Sequence, residues 1–294
     1  MKTPLRGKKI NTHMNYISKK DSIKDIASKY IFDFHGEKVE YVYVDNYTGK
    51  DIVCVPSQTG CKMGCMFCYL THGPMRKARV VTPNFSVEAI KTVLAEKRNT
   101  SNKTVLISFM GMGEPLLSFP NVLETMHQLK DDNDWEADTI RAGLATIVPS
   151  LDLLREFTEN VRQTDLNIKL HWSLHSTDVQ HRLVAMPKAE QNIDLVAINL
   201  DTYRKETGNK VEVHYTIFKG NDSNEDADNL SKLLLKYNFP VKFLKFSMLD
   251  PNIVTATTRE LEFITRVASN GVSYEVYTPP GADINGCCGQ FEIE

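Results

Sequence analysis

A repeated alternation over residues 104–278 narrows the fold of this chain more than any other feature. Six runs, TVLISFM (104–110), IRAGLATIV (140–148), NIKLHWSLH (167–175), KVEVHYTIF (210–218), VKFLKFSML (241–249) and VSYEVYT (272–278), are rich in β-branched and aromatic residues and read as strands. Between them lie segments with helical spacing: FPNVLETMHQLK, SLDLLREFTEN, NIDLVAINLDTYRKE, NEDADNLSKLLLKY and TTRELEFITRVAS, with SVEAIKTVLAEKR ahead of the first strand. Strands separated by helices pair in parallel, because a parallel neighbour needs a crossover long enough to hold a helix. The pattern predicts an α/β chain, a partial (β/α)6 barrel, whose chemistry belongs to the loops at the C-terminal strand ends. Ahead of it, VEYVYV (39–44) and IVCV (52–55) flank the turn DNYTGKD and predict a leading β-hairpin. Residues 1–32 read as a basic arm with a short helical extension near KKDSIKDIASKY, and residues 33–294 as the main domain. Thr257, followed three positions later by Glu260, predicts a capping box on the last helix.

With 294 residues, 41% of them hydrophobic, the chain can bury a full core. No apolar run approaches the ~20 residues that cross a bilayer. The start, MKTPLRGKKI, has basic residues with no apolar stretch behind them, so no signal peptide is expected and the cytoplasm is the expected compartment. Net charge is −2, but residues 1–30 hold eight Lys/Arg against two Asp, and the remainder is correspondingly acidic. A basic arm on an acidic body suits contact with nucleic acid; a solvated helix face is the plainer alternative.

In a reducing compartment, cysteines are ligands or catalysts rather than a disulfide framework. The chain has six, and four lie in CVPSQTGCKMGCMFC (54–68). Cys61, Cys65 and Cys68 form C-x3-C-x2-C with Phe67 before the last. Three thiolates on one loop can hold three irons of a cubane cluster and leave the fourth open to a small molecule. Zinc would need a further ligand nearby, such as His72. GMGEPLL (111–117) follows the first strand of the repeat and would place Gly113 and Glu114 at a strand end. In isolation that segment could be a simple turn. Cys54 lies in a strand, where a cysteine is usually a small hydrophobe, and Cys287–Cys288 stand near the end of the sequence.

The cysteine spacing with its aromatic is similar to the signature of the radical SAM superfamily. Within it the chain resembles the RlmN/Cfr-type RNA adenine methyltransferases. CVPSQTGCKMGCMFC, GMGEPLL, HGEKVE (35–40), SLH (173–175), FKGNDSNEDA (218–227) and DINGCCGQ (283–290) all resemble family segments, over about residues 33 to 292. The resemblance implies a [4Fe–4S] cluster on Cys61, Cys65 and Cys68. It implies S-adenosylmethionine (SAM) held through its amino group by Gly113 and Glu114, with Ser173, His175 and Ser247 as further cofactor contacts.

The same resemblance implies methyl transfer to an adenine ring carbon of RNA, C2 in preference to C8. These carbons are electron-poor and do not attack a sulfonium. In the family the methyl group is first placed on a cysteine, here Cys288. A 5′-deoxyadenosyl radical then takes a hydrogen from it, and the carbon radical adds to the ring. Glu40 is implied as the base that removes the ring proton. Cys54 is implied as the thiol that releases the product by forming a disulfide, a sulfur-on-sulfur displacement. On composition alone Glu40 would be a solvated strand carboxylate.

The chain departs from the family in Cys287, where relatives have Ala, in RAGLATIVP, in Ser247 in place of Asn, and in YTPPGAD, which lacks an Arg. A longer accessory domain usually precedes the matching region; here about thirty residues do. A small folded RNA such as tRNA is therefore expected alongside large-subunit rRNA. Arg76, Lys77 and Arg79 in GPMRKARVV could face phosphate. An electron donor such as flavodoxin or ferredoxin, no membrane partner and a monomer complete the expectations. The alternatives are the same mechanism on a non-RNA substrate, or a non-catalytic iron–sulfur or zinc protein that binds RNA.

Overall fold

The computed structural model describes residues 16–46, 49–72, 78–99, 101–132, 137–245, 256–286 and 290–291. The strands are β1 (Tyr16–Asp21), β2 (Ala27–Phe34), β3 (Glu37–Asn46), β4 (Lys50–Cys54), β5 (Thr104–Phe109), β6 (Thr139–Thr146), β7 (Ile168–Ser173), β8 (Val211–Tyr215), β9 (Val241–Leu244) and β10 (Tyr274–Tyr277). The helices are α1 (Tyr69–His72), α2 (Pro83–Lys97), α3 (Phe119–Asp131), α4 (Leu151–Arg162), α5 (Val179–Ala185), α6 (Ile193–Thr207), α7 (Asn224–Tyr237) and α8 (Glu260–Ser269). All ten strands form one sheet in sequence order. β1 to β4 pair antiparallel, and every neighbour from β4 to β10 is parallel.

Sequential order combined with right-handed crossovers puts the connecting helices on one face of the sheet. The period of two then sorts the side chains. In β7, Leu170 and Trp172 join the core under the helices, while Lys169, His171 and Ser173 face the other way. In β8, Val211, Val213 and Tyr215 pack outward and Glu212 and His214 inward. In β3, Val39, Tyr41 and Tyr43 enter the core and Glu40 and Val42 take the opposite face. The helix side is apolar, with Phe157 set between Phe119 and Tyr203 at ring separations of 5.8 and 5.7 Å. The inner face carries the polar residues. All six expected barrel strands and the hairpin are present. Among the described residues no helix is long and apolar enough to cross a membrane.

The start of the described chain corrects the expectation of a helical extension. Residues 16–21 and 27–34 are the strands β1 and β2, which lengthen the sheet, and β2 runs through residues 32 and 33, where the arm was expected to end. Tyr30, Phe32 and Phe34 alternate into the core, Phe34 lying 4.7 Å from the Phe85 ring of α2. Pairing with β3 buries this whole row, and that gain outweighs the helical spacing of its lysines. Lys19 of the expected arm is engaged by Glu96 at 2.6 Å and Asp21 at 2.9 Å.

The capping box expected at Thr257 is also absent. α8 begins after Arg259, and the Thr257 hydroxyl donates to Asp222 Oδ2 at 2.5 Å while accepting from the Arg259 N–H. A capping box forms instead on α7, from Ser223 and Asp226.

Candidate active site

The C-terminal ends of β5 to β9 surround a cavity of about 180 Å³. Its wall on one side is the loop after β4. Two glycines let this loop lie against the strand end after β5. A Cβ on Gly111 would sit 2.7 Å from the Val55 carbonyl oxygen, and one on Gly113, whose φ is +104°, 2.5 Å from Ser57 Oγ. Only glycine fits either place. The loop is tied down by N–H bonds from Ser57 and Gln58 to the Met112 carbonyl (2.8 and 3.1 Å) and from Met66 to the Ala185 carbonyl (2.9 Å).

Cys61, Cys65 and Cys68 all line this cavity, as the spacing predicts. Burial pushes all three thiols up, Cys68 to about 12, and mutual repulsion adds to the effect on Cys65. One buried and two half-buried thiols that resist ionisation are sites that a cationic metal group would ionise and pair. They therefore fit an iron–sulfur cluster. His72, the candidate fourth zinc ligand, is exposed and donates from Nε2 to the Met66 carbonyl at 2.5 Å. It does not line the cavity.

Glu114 enters the same cavity with 3% exposure. Its Oε1 accepts from the Leu116 N–H at 3.1 Å and its Oε2 from the Ile147 N–H at 3.2 Å. Burial raises its pKa to about 7, against hydrogen bonds from Thr146, Ile147 and Leu116 that lower it. A carboxylate strained in this way fits the ammonium of SAM, which would restore its charge.

Ser173 and His175 form the opposite wall. His175 Nδ1 accepts from the Thr216 N–H at 3.0 Å, so the ring proton sits on Nε2. Burial holds this imidazole neutral, its pKa pushed down to about 3. Phe67, the aromatic of the cysteine motif, meets the His175 ring edge-on at 4.9 Å. His175 and Val148 both adopt left-handed φ, +52° and +55°, unusual for side-chain-bearing residues and for a β-branched one above all. Such strain at two strand ends is characteristic of functional sites. Ser247 lies outside the described residues.

A second chamber of about 80 Å³ adjoins the first and shares Met110, Gly111, Pro279 and Phe291 with it. Glu40 and Cys54 both line it. Glu40 is 4% exposed rather than a solvated strand carboxylate, and lies 3.4 Å from the ammonium of the buried Lys29. Cys287 and Cys288 lie outside the described residues, as do Arg76 and Lys77. The described residues on either side of the cysteine pair, Gly286 and Gln290, line this second chamber. Arg79 is exposed.

Sequence reasoning missed Arg182. It is fully buried on α5 and donates to the carbonyls of Ser173 (3.3 Å), Leu174 (2.5 Å) and Ile147 (3.1 Å), clamping the ends of β6 and β7 together. The signal for its helix was Asp178, whose side chain caps the His181 N–H at 2.6 Å.

Also missed was a polar cluster below the cavity. Glu212 Oε1 accepts from His171 Nδ1 at 3.1 Å and lies 3.5 Å from His214 Nε2. Lys169 lies 2.7 Å from the same carboxylate and Lys242 3.5 Å. Burial would raise the Glu212 pKa, but the hydrogen bond from His171 and the nearby His214 and Lys169 hold it well below the usual range. Burial pushes His171 down to about 3 and lowers His214. The two His and one Glu have the composition of a metal site, yet two ammonium groups already neutralise the carboxylate. A divalent cation would meet net repulsion there, so the cluster is a hydrogen-bonded floor.

A model of the radical SAM superfamily matches residues 55–261. The probable dual-specificity RNA methyltransferase RlmN of Thermosipho melanesiensis is 28% identical over 271 residues, covering 91% of this chain and 76% of that protein. The dual-specificity RNA methyltransferase RlmN of Buchnera aphidicola subsp. Acyrthosiphon pisum is 30% identical over 277 residues, 91% of this chain and 74% of that protein. Among solved structures, a radical SAM methyltransferase from Sphaerobacter thermophilus superposes with a TM-score of 0.83 at 22% identity, covering 96% of this chain and 82% of that one. The enzyme anSMEcpe with bound AdoMet gives 0.54 at 17% identity, over 74% of this chain and 59% of that one.

Proposed function

Because the chain belongs to the radical SAM superfamily and, within it, to the RlmN methyltransferases, we propose that it methylates an adenine ring carbon of RNA, C2 in preference to C8, through a methylated cysteine. It is an enzyme whose cofactors are a [4Fe–4S] cluster and SAM. Cys61, Cys65 and Cys68 hold the cluster. Glu114, with the Gly113 backbone, receives the SAM amino group, and Ser173 and His175 face its ribose and carboxylate. When bound, the pair would supply the methyl group, the acceptor for one hydrogen atom and the one-electron exchange that the reaction needs.

The protein's own residues do the rest. The Cys288 sulfur carries the methyl group, which loses a hydrogen atom and bonds through carbon to the adenine ring. After one electron leaves, Glu40 takes the ring proton. The Cys54 thiolate then attacks the Cys288 sulfur, the sulfur–carbon bond breaks, and the released carbon takes a proton to become the methyl group. A disulfide between Cys54 and Cys288 remains and must be reduced before the next cycle. The substrate is tRNA or large-subunit rRNA, and the electron donor is a small redox protein such as flavodoxin or ferredoxin.

One observation carries this reading: Cys54, Glu40 and both flanks of the cysteine pair line one chamber, which opens beside the cysteine-lined cavity. A buried acid and a half-buried thiol lining one chamber, next to a cavity lined by three cysteines, match a sequence of proton removal and sulfur displacement. The test is anaerobic reconstitution with SAM labelled in its methyl group, followed by peptide mass spectrometry. Label on Cys288 that moves to RNA on addition of total RNA and reductant supports the reading. Label on Cys287 moves the carrier role by one residue. An iron-loaded protein with an unlabelled C-terminal peptide overturns the carrier mechanism.

A further inference from the structure

The turn between β1 and β2 is stitched to the segment that leads into Cys287–Cys288. The Asp283 carboxylate accepts from the Ser22 hydroxyl at 2.7 Å and from the Ile23 N–H at 2.9 Å. Asp25 Oδ2 accepts from the Gly281 N–H at 2.8 Å. The segment then turns tightly: Gly281 and Asn285 have φ of +86° and +51°, and the Gly286 N–H donates to the Gly281 carbonyl at 2.8 Å.

At the inner end of this stitching stands Lys29. It is fully buried on β2, and its ammonium lies 3.4 Å from Glu40 Oε2 and 3.4 Å from the Asn285 carbonyl oxygen. The register explains the reach. Glu40 pairs with Ile31, so Lys29 lies two residues along the same face, diagonal to Glu40. A lysine at zero exposure is held only where its charge is matched. Its partners include the carboxylate of the chamber and the backbone two residues before Cys287.

We propose that Lys29 is a positioning residue for methyl transfer, tying the Glu40 carboxylate to the backbone that leads into the cysteine pair. The N-terminal hairpin thereby sets proton acceptor and sulfur carrier in one register. This rests on Glu40 as the base and Cys288 as the carrier. Lys29 does not line the cysteine cavity, so SAM chemistry there is independent of it.

The experiment uses the full chain, reconstituted anaerobically with methyl-labelled SAM, reductant and total RNA, comparing wild type, Lys29→Met, Lys29→Arg and Asp283→Ala. Lys29→Met is expected to form 5′-deoxyadenosine within about twofold of wild type while methylated RNA falls by about tenfold or more. Labelled RNA should stay covalently attached to the protein, because the ring proton is no longer removed. Lys29→Arg, which keeps the charge, is expected to restore release. Asp283→Ala is a surface change that loosens the stitching and, with it, the segment that holds the Asn285 carbonyl against Lys29. It reads the same stitching if Lys29→Met does not fold: less product with unchanged SAM cleavage supports the proposal, and unchanged product overturns it.

A folded Lys29→Met protein that releases product at the wild-type rate, from a wild type that carries label on Cys288, overturns the role of Lys29 alone. Parallel loss of SAM cleavage, product and melting temperature in both Lys29 variants also overturns it, in favour of a purely structural ion pair. A wild type without label on Cys288 overturns the carrier reading, and the role of Lys29 with it.

Discussion

Glu114 shows how far one buried carboxylate can govern this site. Its pKa rises from an ordinary 4.5 to about 7 because burial removes water from the charged form. The folded state therefore holds this proton more tightly than the unfolded chain does. In the ligand-free protein the stabilising contribution is full below pH ~4.3 and is lost as pH rises through about 7. Glu114→Gln is expected to match wild type in melts at pH 4 and to exceed it at pH 8, by up to about 3 kcal/mol. SAM affinity should run the other way, rising between pH 6 and 8 in wild type as the carboxylate ionises. The glutamine variant should lose both the affinity and its pH dependence in a calorimetric titration. At Cys54 the expected signature is covalent. Cys54→Ala has no thiol to displace the RNA, so labelled RNA should remain on the protein through denaturing electrophoresis. A variant that turns over repeatedly would remove Cys54 from the mechanism.

At the scale of elements, caps and core decide which segments hold. Ser223 closes α7 by a reciprocal cap with Asp226, and its hydroxyl accepts the Asp226 N–H at 3.0 Å. Ser223→Ala is expected to lower stability by about 1 kcal/mol in denaturant unfolding. Phe157→Ala, which empties the site between Phe119 and Tyr203, is expected to lower it by about 3–5 kcal/mol. The Ser-x-x-Asp pattern at 223 was as readable as the Thr-x-x-Glu at 257, yet only the first forms. The Thr257 hydroxyl is taken by Asp222 from another part of the chain, a partner that no local pattern reveals. The same is true of α5. Its seven residues are too few for helical periodicity to stand out, and Arg182 matters because β6 and β7 end beside it.

At the scale of the whole molecule, two apolar clusters are distinct among the described residues. The large one spans the sheet and its helices, and the small one, with Met63, Cys65, Ile147, Met186 and Phe218, lies under the cysteine loop. Removing the iron by chelation under oxidising conditions is therefore expected to loosen residues 59–72 and 178–186 in hydrogen exchange and leave β5 to β8 protected. Equal loss of protection in the central strands would mean that the cluster holds the entire fold.

The barrel strands, the hairpin and the convergence of Cys61, Cys65, Cys68, Glu114 and His175 on one cavity were legible in the sequence because their signals are local. A period of two, a cysteine spacing and a strand-end motif each lie within one short segment. The opening residues were misread for a physical reason. The lysines between 19 and 29 have spacing compatible with a helix, but Tyr30, Phe32 and Phe34 are buried only if the segment pairs with β3, a gain that exists once the sheet does. Lys29 beside Glu40, Arg182 across two strand ends and the floor around Glu212 join groups far apart in sequence, with Lys29 and Asn285 separated by 256 positions. By itself the sequence determined the order of the elements and the residue types that carry the chemistry. Only the tertiary structure decided which charges are buried together, because the energy of a buried charge depends on neighbours that the fold brings near and the chain order does not.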